Sequence, residues 1–126
     1  VIEISERTPL AVTDIPEGRF LVDVTGFPYL PAPADANFPL VSGPDDQSRA
    51  SSILVWQSFP DWLKAEIAST NADNPNSMWL MMTNGRKVLW GNFDKAQEKS
   101  AVLKVLRRMA GSTYDVSTPE VPVVRP

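Results

Sequence analysis

Met78-Trp79-Leu80-Met81-Met82-Thr83, then Asn84-Gly85, then Arg86-Lys87-Val88-Leu89-Trp90, is the stretch that decides the fold. Two apolar runs flank an Asn-Gly pair, the dipeptide that most readily adopts the two positive φ values of a type I′ hairpin turn. With 84 and 85 as the loop, Leu80 is expected to face Leu89, Trp79 to face Trp90 and Met81 to face Val88. Both faces of such a ribbon are apolar, which places it inside a larger sheet with helices on one side.

Proline distribution marks where regular structure concentrates. Of the 12 prolines, nine fall between Pro9 and Pro75, three between Pro119 and Pro126, and none between Asn76 and Thr118. Since proline fixes φ and removes a backbone donor, the longest regular elements belong in that gap. Gly91 ends the second strand there, and Asp94 with Gln97 three positions on reads as a helix N-cap. The run Lys95 to Ala110 carries Val102, Leu103, Leu106, Met109 and Ala110 on one helical face, with Gly111 as its stop. Thr113 to Ser117 reads as a strand with Tyr114 and Val116 on one side.

The first half is choppier. Ile2, Ile4 and Arg7 to Val12 read as extended chain interrupted by Pro9. Phe20 to Val22 and Phe27 to Leu30 form a second hairpin about a turn at Asp23 to Gly26, and Pro31 to Pro44 is a Pro-rich loop. A helix is expected from Asp45 or Asp46 to about Ser58, burying Ile53, Leu54 and Trp56. A helical turn at Pro60 to Lys64 and a strand over Glu66 to Ala72 follow. The fold class is α+β, a mostly antiparallel β-sheet packed with two helices.

Composition narrows function. The 126 residues include no cysteine and no histidine, which removes disulfides, thiol and histidine catalysis and soft-metal clusters. A net charge of −3 argues against nucleic-acid binding. No apolar run approaches the ~20 residues of a membrane span, and the start at Val1 suggests a piece of a longer protein. The closest carboxylate pair, Asp45-Asp46, sits where helix capping explains it. The sequence therefore predicts no enzyme, no cofactor and no metal.

Charge is unevenly distributed: residues 1–84 hold 11 acids and 4 bases, residues 85–110 hold 2 acids and 7 bases. The second helix therefore presents a basic face, either simply solvated or meeting an acidic partner or anionic headgroups. Trp56, Trp62, Trp79 and Trp90 read as core, Trp62 being the most exposed of them. The C-terminal run Tyr114 to Pro126, punctuated by Pro119, Pro122 and Pro126, must be a sheet edge or a tail.

The order of these segments resembles the FtsQ/DivIB family of bacterial division proteins. Ile4-Ser5-Glu6-Arg7-Thr8-Pro9-Leu10-Ala11 resembles the strand leaving that family's POTRA domain, and Leu21-Val22-Asp23 with Gly26 the hairpin opening its β domain. Asn84-Gly85-Arg86-Lys87-Val88 with Trp90-Gly91, a following helix bearing Lys99, and Tyr114-Asp115-Val116-Ser117-Thr118-Pro119 complete the match, the last as in high-GC Gram-positive members. The resemblance implies that residues 1–12 are the final POTRA strand and connector, 13–118 the β domain and 119–126 a Pro-rich tail. It implies a non-enzymatic divisome scaffold on the extracytoplasmic side at the septum, anchored by one membrane helix absent from this chain. Partners would be FtsB/DivIC-type and FtsL-type proteins, added as a strand at the C-terminal sheet edge. The expected partner-binding residues are Tyr114, Val116, Ser117, Thr118 and Val121, with Arg107 and Arg108 on the basic helix. The alternative is an exported module binding cell-wall polymer through Trp62 and that helix.

Overall fold

A computed structural model describes residues 8–126; the expected extended segment at Ile2 and Ile4 lies outside them. The first sheet has three antiparallel strands in chain order, β1 (Ala11–Ile15), β2 (Gly18–Val22) and β3 (Pro28–Pro31). The hairpin expected from Phe20 to Leu30 is thus present, with a bulge between Leu21 and Val22. The Pro-rich loop that follows contains one short strand, β4 (Val41–Ser42), and leads into α1 (Asp46–Ser58) and α2 (Asp61–Glu66). Then come β5 (Ile67–Ala72), β6 (Met78–Met82), β7 (Lys87–Gly91), α3 (Ala96–Leu106), β8 (Thr113–Asp115) and β9 (Val123–Arg125).

The second sheet has six strands in the order β4-β5-β6-β7-β8-β9. Its pairs are antiparallel except β4 with β5 and β7 with β8. The α+β architecture is as expected, in two sheets and with a third short helix. Leu40 stitches the sheets together: Val12 N–H donates to the Pro39 carbonyl at 2.9 Å and Thr70 N–H to the Leu40 carbonyl at 3.0 Å.

The main core lies between the second sheet and the helices, where Met78, Leu80, Met82, Val88, Trp90, Tyr114 and Val116 meet Val55, Phe59, Leu63, Leu103 and Leu106. Each large aliphatic side chain buried there contributes about 1.5–3 kcal/mol. A smaller cluster of Ala11, Val22, Val41 and Ile53 joins the first sheet to α1.

The central hairpin forms one residue out of the expected register. Leu80 pairs with Val88, Trp79 with Leu89 and Met81 with Lys87. The loop has three residues, since Met82 N–H donates to the Arg86 carbonyl (2.8 Å) and Gly85 N–H to the Met82 carbonyl (3.0 Å). Asn84 Oδ1 accepts the Arg86 N–H at 3.0 Å, so the side chain closes a turn in which Gly85 (φ +87°) alone has positive φ. That is a three-residue loop closed by a glycine, not the two-residue type I′ loop. The slip matters because side-chain direction alternates: Trp90 joins Leu80 in the core and parts from Trp79.

Of the two main helices, α1 keeps its expected limits but not its whole buried face, and α3 departs from its expected limits. In α1, Asp45 caps as foreseen, accepting the Ser48 N–H at 2.8 Å. Leu54, however, is 47% exposed, because Ser48, Arg49, Ser52, Ile53 and Val55 take the inner face. The start of α3 is not capped by Asp94. Lys95 holds the cap position in a left-handed conformation (φ 60°) without a side-chain cap, and Asp94 N–H instead donates to Asn92 Oδ1 at 3.1 Å. The helix ends at Leu106, well before Gly111. Beyond it, the Met109 carbonyl accepts the Tyr114 hydroxyl at 2.6 Å and Arg86 at 3.4 Å. These partners satisfy the terminal turn from outside, leaving Met109 and Ala110 off the buried face.

Candidate functional site: a sheet edge and a basic helix

Residues after Thr118 do not simply trail away. Val123–Arg125 folds back as β9, antiparallel to β8, with Tyr114 opposite Val124 and Asp115 opposite Val123. Gly111 makes room for this return, since a Cβ there would press on the Val124 side chain and the Arg125 carbonyl. Ser112 N–H donates to the Arg125 carbonyl at 2.9 Å, and Val124 packs against the main core.

The consequence for the expected partner edge is direct. Because β8 lies between β7 and β9, its hydrogen-bonding edges are both occupied. Tyr114 and Val116 are fully buried and present no side chain to a partner at an edge. Ser117 and Thr118 are exposed but belong to the turn after β8: Ser117 N–H and Oγ both donate to Asp115 Oδ1, at 3.0 and 2.6 Å. The end of the six-stranded sheet is β9, whose other side has no strand among the described residues. The opposite end, β4, leads through the Val12–Leu40 bridge to the first sheet. Val121, 68% exposed, stands just before β9.

An antiparallel strand with a single neighbour leaves alternate N–H and C=O groups pointing outward. β9 therefore offers a short template for another strand. Pro122 and Pro126 flank it without N–H donors and limit regular pairing to the three residues between them.

The basic residues of the second helix occupy a different place. Arg107 stacks over Trp62, 4.6 Å from the ring centroid, and pairs with Glu66. Arg108 is exposed. Lys99, expected on a solvated face, is only 1% exposed and donates to the Asn92 carbonyl at 2.9 Å and Oδ1 at 3.2 Å. Burial holds its amine below the usual lysine pKa, against the attraction of Asp94. Lys95 reaches Glu120 at 2.5 Å, tying the start of α3 to the β8–β9 connection. This contact raises the lysine pKa and lowers that of the glutamate.

The tryptophans form no bare row. Trp90 is buried, and the half-buried Trp56, Trp62 and Trp79 lie under Lys64, Arg107 and Lys87 respectively. Of the Asp45-Asp46 pair, one carboxylate caps α1 and the other pairs with Arg49. No described helix is long and apolar enough to cross a membrane.

Residues 11–121, almost all of the described chain, match the family model for the C-terminal region of cell division protein FtsQ/DivIB. The chain belongs to the FtsQ/DivIB family. Relatives named cell division protein FtsQ include those of Mycobacterium leprae and Mycolicibacterium smegmatis, each 34% identical over 98% of this chain. That of Mycobacterium tuberculosis H37Rv is 30% identical over the same share. The alignments cover 38%, 38% and 41% of those proteins, so the chain spans about two-fifths of their length. The FtsQ/DivIB match stops at Val121, two residues before β9 begins.

Sequence reasoning missed β9. The alternation in Val121-Pro122-Val123-Val124-Arg125-Pro126 and the small residue at Gly111 were its signals.

Proposed function

We propose that this chain is the extracytoplasmic β domain of a divisome scaffold and that FtsB/DivIC-type and FtsL-type partners add a strand to the outer edge of β9. The observation that carries the reading is the position of Val123–Arg125 at the end of the six-stranded sheet, with one neighbour. Main-chain hydrogen bonds supply register, and exposed Val121 and Val123 supply apolar contact. Tyr114 and Val116 support the edge from within by packing β8 into the core. Ser117 and Thr118 shape the connection into β9.

In this reading the residues before Ala11 connect to a preceding POTRA domain, a boundary two residues earlier than expected, since β1 belongs to the β domain from Ala11. The membrane anchor is a helix elsewhere in the full protein, which works at the septum. The protein is non-enzymatic: the paired carboxylates are committed to starting α1. Cation-covered tryptophans favour this scaffold reading over a polymer-binding platform, which needs open aromatic faces.

Hydrogen exchange on the extracytoplasmic region with and without its FtsB- and FtsL-type partners tests the proposal. The amides of Val123–Arg125 that point away from β8 should gain protection on binding while those of β5 and β6 stay as they are. Tight binding that leaves the β9 amides unchanged would sink the idea.

A further inference from the structure

Away from β9, a groove of about 350 Å³ runs between the α1–α2 corner and α3. Phe59, Pro60 and Trp62 line one side, Ala101 and Lys104 the other, with Gln97 and Ser100 beside them. Phe59 is buried at its base, and Ala101 is exposed on its wall. Val105, 67% exposed, continues the apolar surface one turn along from Ala101. Lys104 lines the groove, and Arg108 is exposed in the turn just past the end of α3. Neither pairs with a carboxylate among the described residues.

We propose that this groove is a second protein-docking surface, which seats an acidic amphipathic helix of a partner. Three observations select that occupant. The walls are helices whose backbone groups are already bonded within their own turns, so no strand can be added here. A helix, in contrast, arrives with its backbone satisfied and needs only side-chain complementarity. The apolar floor is concave, with Phe59 at its base, which suits side chains projecting from a helix and is out of reach of a flat bilayer surface. The rim is cationic through Lys104 on the wall and exposed Arg108 just past the end of α3, so carboxylates flanking the apolar stripe complete the match. Apolar side chains of the partner fill the space over Phe59, Trp62 and Ala101, and its acids meet Lys104 and Arg108. The site shares no residue with the β9 edge and stands or falls separately from it.

Site-specific photocrosslinking in the full-length protein, in the cells that make it, tests the proposal. Benzoylphenylalanine is placed at Ala101 and, in a parallel strain, at Val123. The Ala101 probe should label a partner peptide whose mapped sequence is acidic with helical apolar spacing. The double variant Lys104→Glu, Arg108→Glu should cut that labelling by about tenfold through reversal of the rim charge. Labelling from Val123 should persist in that double variant. Retention of the Ala101 adduct in a protein lacking residues 121–126, which has no β9 edge, separates the two surfaces. A lipid adduct at Ala101, a basic or strand-forming peptide, labelling indifferent to charge reversal, or no adduct would each overturn the assignment.

Discussion

Replacing Arg49 tests what holds the two sheets in one arrangement. The residue is 8% exposed, and its guanidinium donates to the Gly26 carbonyl at 2.7 Å and to the Gly43 carbonyl at 3.1 Å. Gly26 lies in the β2–β3 turn and Gly43 just after β4, so one side chain on α1 pins segments leading from both sheets. Gly26 (φ +83°) allows the approach, because a Cβ there would fall on the Asp46 carbonyl. Arg49→Met removes two charge-assisted bonds, each worth about 1.5–3 kcal/mol. Relief of guanidinium desolvation offsets roughly half of that sum, leaving a net loss of about 1.5–3 kcal/mol. The Asp46 ion pair adds little, since that carboxylate is half exposed and such pairs contribute about 0–1 kcal/mol. Urea unfolding of the domain, with m of about 1–3 kcal/mol/M, should show the midpoint falling by about 0.5–3 M at unchanged m. Arg49→Lys, which keeps charge but not the planar fork, should lose about half as much. A midpoint shift in Arg49→Met smaller than about 0.3 M would refute the pin. So would equal losses in Arg49→Met and Asp46→Asn, which would assign the stability to the surface pair instead.

Gly111→Val should expel β9 rather than unfold the core: the added side chain presses on Val124 and the Arg125 carbonyl. Amide exchange at Val123–Arg125 would rise while β6 and β7 keep their protection, and the reasoning fails if β9 stays protected. Lys99 predicts a pH effect of definite sign. Its folded pKa lies below the ordinary 10.5 because of burial, so the unfolded chain holds the proton to higher pH and stability rises as pH climbs toward 10.5. Lys95, whose pKa is raised by Glu120, acts above 10.5 and with the opposite sign. Lys99→Met should flatten the rise below 10.5 in denaturation midpoints, and an unchanged slope would count against a buried, unpaired ammonium.

What the sequence disclosed, and what it hid, follows from the range of the interactions that fix each feature. The apolar runs Met78–Met82 and Val88–Trp90 on either side of Asn84-Gly85 announced the central hairpin because that signal is local. Its register was not legible, since both Asn-Gly loop geometries use the same dipeptide. The choice depends on whether the Asn84 side chain captures the Arg86 amide. The limits of α3 were misread for a related reason. Asp94 has the chemistry of a cap, but Asn92 takes its amide and Lys99 reaches back to the same asparagine. At the other end Tyr114 and Arg86, from distant strands, close the last turn. The hardest case was the edge itself. Pro122 and Pro126 exclude a central strand, yet proline is tolerated beside an outermost one. Tyr114 and Val116 are the most strand-like residues of the C-terminal run because they are core, and buried there they offer no side chain to an edge. A partner edge has to keep its backbone unpaired and its side chains undemanding, so it leaves a weak trace in sequence. The three residues between Pro122 and Pro126, with Gly111 cleared to receive them, fit that description where Tyr114 to Thr118 do not.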